Sequence, residues 1–447
     1  MDVSKQLRVA AARIGILAGV LVALTIFINL SWFDETLHPD LARLAPPRPV
    51  SMEGNAYALI YGFPAASDRD PRRAGLAIIE ILRQRFESGE DITLSEQEIG
   101  DILGNPETQD VWNGIFPAID CNARFAIDCA DRLIADAALA DANHPRLRLL
   151  LDRYETILST PRFEENQEYD VSTPVPFNGE LMAIARIRLA LEFRTGSNEE
   201  ILADIAEDVA FWKRMLRDGQ SLIAKMVALA GLRNDTTFLS TLLRERDLSA
   251  DEIGAVDRIL SPLTADERDI GETFLAELRI SLLSEKPYAL MLDGPPALAR
   301  LALQENATLN EYFFTTTIPL QLKASLSASE FYDQGAYEPL AYDVRAVPPP
   351  LYNLGGKFIL KWMASRIGHA DYISRVHDLD GRIALVLLQA EIAQNPNRRP
   401  QAVVQSSRYR NPYTLEPFDY DPDAGTIGFD CLANGTDVCA VAIGRRR

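Results

Sequence analysis

Apolar residues recur along much of the chain at spacings of three and four, the period of an amphipathic α-helix. Segment 197–217 shows this pattern most clearly. Its apolar positions are Ile201, Ile205, Val209, Trp212 and Leu216. Ser197 and Glu200 form a capping box at its start, a pair in which each side chain accepts a hydrogen bond from the other's backbone N–H. The pattern predicts a helix that buries one face.

The same capping signature precedes other periodic runs. It recurs at Ser95 with Glu98, Ser249 with Glu252, Thr264 with Glu267 and Ser327 with Glu330. These starts follow no fixed interval, so they do not support an α-solenoid of equal repeats. We therefore expect a mainly α protein in which residues 54–285 form an irregular multi-helix body. One of its helices is expected at 264–283.

The N-terminal pattern is different, because residues 14–33 contain no charge. At about 1.5 Å per residue, a helix of this length spans the roughly 30 Å core of a bilayer. Lys5, Arg8 and Arg13 precede the run and acidic residues follow it, so the positive-inside rule places residues 1–13 in the cytoplasm. The exit from the run lacks the small residues of a cleavage site. We expect an uncleaved transmembrane signal anchor.

Proline and turn residues divide the rest of the chain. The expected parts are a proline-rich tether at 34–53, a second, mixed helical region at 286–395 with a long helix from about Asp380 to Ala393, and a turn-rich segment at 396–447. Within the last segment, short apolar runs at 426–429 and 438–443 alternate with turn signals. They predict a small β-ribbon.

Four cysteines form two local pairs, Cys121 with Cys129 and Cys431 with Cys439, each eight positions apart. Neither spacing fits the Cys-x-x-Cys of zinc or redox sites, and an even number suits an oxidising compartment. We expect two local disulfides, with free thiols and cross-pairing as the alternatives. Arginine outnumbers lysine 38 to seven, a bias we attribute to a GC-rich bacterial genome. Together with the anchor, this predicts a bacterial inner-membrane protein with a periplasmic C-terminal domain. In a eukaryote the same topology would give a lumenal type II protein, with Asn234 and Asn306 as possible glycan acceptors.

The charge balance excludes one class of partner. The chain has 45 Lys and Arg against 64 Asp and Glu, a formal net charge of -19. Because nucleic-acid binding requires a basic face, we expect no nucleic-acid partner. No Walker, Rossmann, G-x-S-x-G or H-E-x-x-H motif is present in the sequence, so no cofactor or metal is predicted.

Four residues are candidates for catalysis, namely Glu277, Glu330, His377 and Asp378. His377 and Asp378 form part of the run 375–382, where a histidine beside carboxylates can act as a general base or hold a hard metal. The commoner role of such an aspartate is to cap the helix that follows. Glu277 falls at the border of an apolar helix face, where it could act as a catalytic acid or pair with an arginine. Glu330 lies in a segment rich in tyrosine and acid, which could line a sugar-binding cleft or pack a loop onto the helical body.

Three functions are compatible with these features. The leading hypothesis is a single-pass envelope membrane protein whose helical domain is a scaffold or adaptor for another envelope protein. The first alternative is a membrane-tethered periplasmic hydrolase of cell-wall glycan or peptide that uses paired carboxylates. The second is binding of a lipid or small ligand between helices.

Overall fold

The structure is a computed structural model. It describes residues 3–42, 51–88, 90, 92–104, 128–137, 144–165, 173–176, 179–283, 303–338, 340, 352–366, 369–433 and 439–443. This part of the chain is mainly helical, with a small three-stranded antiparallel sheet near its C-terminal end. The predicted fold class is confirmed in these two respects.

Helices account for most of the described residues. In chain order they are α1 (Val3–Ile28), α2 (Pro39–Ala42), α3 (Ala56–Tyr61), α4 (Pro71–Ser88), α5 (Glu96–Leu103), α6 (Cys129–Asp136), α7 (Pro145–Ser159), α8 (Gly179–Thr195), α9 (Asn198–Asp218), α10 (Leu222–Glu245), α11 (Ala250–Ile259), α12 (Ala265–Arg268), α13 (Gly271–Leu283), α14 (Glu305–Tyr312), α15 (Ile318–Ala324), α16 (Ala328–Asp333), α17 (Leu354–Arg366), α18 (His369–Gln394) and α19 (Pro400–Ser406). The strands are β1 (Asp419–Asp421), β2 (Thr426–Gly428) and β3 (Ala440–Ala442).

The chain divides into two compact units, each built from separate segments. The first unit contains Met1–Pro46, Leu278–Gln321 and Pro339–His369. The second contains Pro47–Glu277, Leu322–Glu338 and Ala370–Arg447. Residues far apart in the sequence therefore meet within each unit.

All five predicted capping boxes are present. Each serine or threonine accepts a hydrogen bond from the N–H three residues later, and the glutamate there accepts from the cap's own N–H. The helix predicted at 197–217 is confirmed as α9. The single helix expected at 264–283 is instead two, α12 and α13, because the chain leaves the helical conformation at Asp269. The Asp269 side chain then accepts a hydrogen bond from the Gly271 N–H at 2.8 Å, near the start of α13.

The core of the second unit centres on the packing of α9 against α10. Trp212 of α9 is fully buried. Its ring lies so close to Gly231 of α10 that a Cβ there would come within 2.3 Å of it. Glycine at this position lets the two helices approach, and a larger side chain would force them apart.

Helix α18 begins eleven residues earlier than predicted, at His369 rather than Asp380. The sequence misleads here because Gly381 and the charges around it resemble a helix boundary. The glycine serves packing instead, since a Cβ on it would lie 2.5 Å from the Phe429 ring and 2.7 Å from Pro412. The C-terminal segment therefore lies directly on the helix backbone at this point.

The predicted β-ribbon is confirmed as a sheet with the order β1-β2-β3. Ile427, fully buried, pairs with Tyr420 on one side and Val441 on the other. The predicted disulfide between Cys431 and Cys439 is confirmed. Cys129 is also disulfide-bonded. Its predicted partner Cys121 lies outside the described residues, so that pairing stays a prediction.

The first unit contains α1, a 3₁₀ turn at Ser31–Phe33, and α14 packed against α17. Among the residues that the structure describes, no helix combines the length and the mean hydropathy needed to cross a membrane. The membrane anchor at 14–33 stays a prediction.

Candidate functional site

Glu330, a predicted catalytic candidate, closes the capping box of α16. Its Oε2 accepts hydrogen bonds from the N–H of Ser327 at 2.9 Å and from its hydroxyl at 2.6 Å. These bonds lower the pKa of Glu330. A general acid needs a raised pKa, so this carboxylate is placed to stabilise a helix start rather than to donate a proton.

Asp378 binds the C-terminal segment. Its Oδ1 accepts from the Tyr413 hydroxyl at 2.6 Å and from the Leu432 N–H at 3.0 Å, and its Oδ2 accepts from the Ala433 N–H at 2.9 Å. Burial raises the pKa of Asp378, although these three donors oppose the rise. The expected helix-capping role is wrong, because Asp378 lies inside α18. Its carboxylate instead fixes the backbone beside the Cys431 disulfide.

His377, on the same helix, is buried with its ring centroid 5.1 Å from that of Phe331. Burial, aided by the positive charge of Arg268, lowers the pKa of His377 to about 4. The imidazole is therefore neutral at physiological pH. Because it is only 4% exposed, it has little access to a substrate in solution.

Asp378 also lies beside the two cysteine sulfurs. Potential ligand atoms of Asp378, Cys431 and Cys439 fall within 4.8 Å of one another. The two sulfurs, however, are bonded to each other. Metal binding to cysteine requires thiolates, so this cluster does not provide a ligand set while the disulfide is intact.

Glu277 approaches the N-terminus of α10, where Glu165 also binds. Glu165 Oε2 accepts from the N–H groups of Gln220 and Ser221 at 2.6 and 2.7 Å, and Glu277 Oε1 accepts from the Leu222 N–H at 3.2 Å. Burial, and then the charge of Glu165, raises the pKa of Glu277. A helix N-terminus offers unsatisfied N–H groups and a positive dipole end, so both carboxylates have a structural role here.

The second unit buries a charged cluster that the sequence pattern did not indicate. Arg188 on α8 lies 2.8 Å from a carboxylate oxygen of Asp204 and 3.5 Å from one of Asp208, both on α9. Asp208 is fully buried and accepts a hydrogen bond from the Tyr154 hydroxyl at 2.9 Å. Burial raises the pKa of Asp208 to about 7.

Asp235 on α10 completes this cluster. It is fully buried, and neither of its carboxylate oxygens has a hydrogen-bond partner among the described residues. Burial and the neighbouring charge of Asp208 raise the pKa of Asp235 well above its ordinary value. Burial of two neighbouring acids disfavours a state in which both carry a negative charge. With no exposed surface, the pair is a feature of the core rather than a substrate site.

The open concave site of interest lies in the first unit, directly after α1. We call it the α1-exit pocket, a cavity of about 380 Å³. Its lining residues are Glu35, Thr36, Leu37, His38, Pro39, Ala307, Asn310, Glu311, Phe314, Thr315, Tyr352 and Lys357. They come from the segment after α1, from α14 and the turn that follows it, and from the start of α17.

Hydrogen bonds hold the segment after α1 against α14. The Asp34 carboxylate accepts from the N–H groups of Asn306 and Ala307, both at 3.0 Å, and so caps a helix about 270 positions later in the chain. Asn310 donates to the Glu35 carboxylate at 3.1 Å and accepts from the His38 N–H at 2.8 Å. Glu35 and His38 belong to the expected tether at 34–53, yet they line the pocket.

A π-helical turn at Phe313–Thr317 forms another part of the pocket wall. Pro319 follows it, and proline cannot donate the backbone hydrogen bond that a regular helix requires, so a wider turn accommodates it. Within this turn Phe313 is buried and Phe314 is 49% exposed. The Phe314 ring meets the His38 ring edge-on, with centroids 4.9 Å apart.

The α1-exit pocket holds charges of both signs. Lys357 is 2% exposed, whereas Glu35 is exposed. Burial, with the charges of Glu35 and Asp34, raises the pKa of Tyr352 to about 12. The Tyr352 hydroxyl donates to the Phe33 carbonyl at 2.8 Å. The carboxylates of Asp34 and Glu35 place negative charge where α1 ends.

Comparison of the chain with known protein families, with curated proteins and with solved structures finds no match. The site therefore has to be interpreted from its own chemistry. Its acidic residues at 34 and 35 were visible in the sequence only as charges that follow an apolar run. Nothing in the local pattern indicated that they contact residues near 306.

Proposed function

We propose that the chain is a single-pass envelope protein of the bacterial inner membrane, with a cytoplasmic N-terminus. We further propose that its periplasmic helical part is a scaffold or adaptor for another envelope protein. The first part of this proposal is supported by one observation on α1, and the second by the roles of the candidate catalytic residues.

The exposure of apolar side chains around α1 carries the anchor proposal. Val20, Leu21 and Val22 are 60, 54 and 58% exposed, and successive helix residues point about 100° apart. Ile14 and Leu17 are 67 and 68% exposed. A helix that is apolar on all sides needs an apolar surrounding, and a bilayer supplies one.

The adaptor proposal is supported by where the candidate acids are placed. Glu330 caps α16, Asp378 holds the C-terminal backbone, and Glu277 accepts from the first turn of α10. A glycosidase needs two carboxylates that face one cleft with room for substrate between them. The net charge of -19 suits a partner with a basic complementary face.

The anchor is tested by extracting native membranes with alkaline carbonate, which releases peripheral proteins but not membrane-spanning ones. A reporter active only outside the cytoplasm, fused after Arg447, tests orientation. We expect the full chain to stay with the membrane and the reporter to be active. Release by carbonate, or an inactive reporter on stable protein, would contradict the anchor.

The adaptor role is tested by complementing a strain that lacks the protein. Glu277→Gln, His377→Ala and Asp378→Asn should each restore its phenotype, since an adaptor does not need a proton-transfer group. Loss of a true general acid or base costs about 10²- to 10⁴-fold in rate with folding little changed. One such variant that fails to complement at normal level and Tm would replace the adaptor with the hydrolase.

Ligand binding is a second candidate function, and the α1-exit pocket favours it. A cavity of about 380 Å³ is within the range of roughly 300–1,000 Å³ typical of small-ligand sites. It combines aromatic surface with a few polar groups, as such sites do.

A further inference from the structure

The charges of the α1-exit pocket favour a ligand that carries a positive group. The lining contains the carboxylates of Glu35 and Glu311 and a single lysine, Lys357, so its formal charge is negative when His38 is neutral. Asp34 lies next to the lining and adds a further negative charge. A cation therefore gains from this potential, whereas a simple anion would be repelled.

The aromatic residues of the pocket suit the same kind of ligand. Phe314 lines the pocket and is about half exposed, and Tyr352 is a second aromatic residue of the lining. Ring faces attract ammonium groups, most strongly where water is partly excluded. Carboxylates and rings together recognise a substituted amine better than a bare metal ion, which would need several converging oxygen ligands.

Lys357 is a different case from the pocket's acids. It lines the cavity at the start of α17 but is only 2% exposed, so it has little access to a ligand. The carboxylates are therefore the charges that a ligand meets, and they select for its cationic group.

The position of the pocket identifies the source of such a ligand, and this step rests on the proposed membrane anchor. Residues 35–39 of the pocket follow the uncharged run at 14–33 directly. If α1 crosses the bilayer, these residues lie at the level of the lipid headgroups. Trp32, which is 85% exposed, suits the interface at that depth.

Helix α17 adds an apolar surface beside the same exit. The Leu354 N–H donates to the Asn29 side chain at 3.3 Å, so α17 begins where α1 ends. Leu354 and Phe358 lie one turn apart and are 38 and 62% exposed. An exposed apolar surface therefore lies next to the end of α1.

We propose that the α1-exit pocket binds the headgroup of a phospholipid that carries a primary amine. The ammonium lies near the carboxylates of Glu35 and Glu311, against the Phe314 ring. Binding is noncovalent, and it couples the periplasmic side of the protein to the composition of the outer leaflet of its membrane.

The test uses the full chain in nanodiscs of mixed phosphatidylethanolamine and phosphatidylglycerol. After mild delipidation, mass spectrometry measures which lipid is retained. We expect phosphatidylethanolamine to be retained preferentially, and Glu311→Gln to reduce that preference about tenfold, because it removes a charge-assisted contact. Phe314→Ala, at an exposed ring, should also weaken it without affecting folding. Glu305→Gln, on the same helix but outside the lining, is the matched control and should retain the preference.

Equal retention of both lipids by the unchanged protein would overturn the proposal. So would variants at Glu311 and Phe314 that are folded and as selective as the control. Retention of free phosphoethanolamine without any lipid preference would show a soluble ligand and equally overturn it. Release of the protein by carbonate would overturn the anchor and this proposal together, whereas a stably inserted protein without lipid preference would leave the anchor standing.

Discussion

Replacing Asp235 with asparagine should stabilise the protein at neutral pH and flatten the dependence of its stability on pH. Asp235 shares an enclosed site with Asp208, near Arg188 and the Tyr154 hydroxyl, and burial raises its pKa. In an acid whose folded pKa is raised, the stabilising contribution is fully present below the unfolded pKa. It is lost as the pH rises toward the folded value.

The magnitude follows from the proton that folding must add. The ordinary pKa of an aspartate is 3.8, about three units below neutral pH. Burying it in protonated form at pH 7 therefore costs up to about 4 kcal/mol, at 1.36 kcal/mol per unit. Asparagine avoids this cost but buries an amide in need of acceptors, at about 1 to 3 kcal/mol. We expect a net gain of about 1 to 3 kcal/mol.

Urea unfolding of the full chain in detergent, followed by tryptophan fluorescence at pH 5.5, 6.5 and 7.5, measures both effects. The advantage of Asp235→Asn should grow with pH, by at most about 1.4 kcal/mol per unit, the slope of one proton. Asp152→Asn, at an exposed position on α7, is the control and should change stability by less than about 0.5 kcal/mol. A constant difference between variant and parent across this range would show that Asp235 is ionised in the fold and refute the reasoning.

Three further predictions concern stability. Changing both Cys431 and Cys439 to serine should cost about 2 to 3 kcal/mol in urea unfolding, since the disulfide closes a short loop; an unchanged midpoint would show that the hydrogen bonds of the segment suffice without it. Ser197→Ala should cost about 1 kcal/mol in the same assay through loss of the α9 cap, and no cost would mean that Glu200 alone holds the helix start. His377→Leu should lessen the loss of stability between about pH 6.5 and pH 4, because the unfolded chain binds a proton there that the buried imidazole does not. If the variant and the parent lose the same stability over this pH range, the reasoning is wrong.

The local structure of this protein is largely visible in its sequence, because capping and periodicity act over a few residues. Ser197 with Glu200 and Ser327 with Glu330 identify helix starts that are present in the fold. The prediction fails at Gly381, where a residue needed for tertiary contact resembles a break in the helix. Whether a glycine ends a helix or allows close packing within it depends on the residues that contact it, which a single sequence does not reveal.

The site was far less predictable, because its residues come from distant segments. Glu330 and Asp378 attracted attention as acids near aromatic or histidine residues, yet each accepts hydrogen bonds that hold backbone in place. Asp235 lies in a polar stretch that the pattern left without a role. A carboxylate's chemistry is set by burial and by donors elsewhere in the chain, and neither is encoded in local spacing.

The bond from Asp34 to the start of α14 has a consequence for how the protein is made. Asp34 leaves the ribosome more than 270 residues before Asn306 and Ala307. At roughly 5 to 20 residues per second, synthesis alone separates them by tens of seconds. During that interval the whole stretch 47–277 is synthesised. Residues 34–38 cannot bind α14 until that helix has been made. A product truncated before α17 would contain the N-terminal helix and most of the second unit but would lack the pocket. The pocket can therefore form only after translation has passed residue 357.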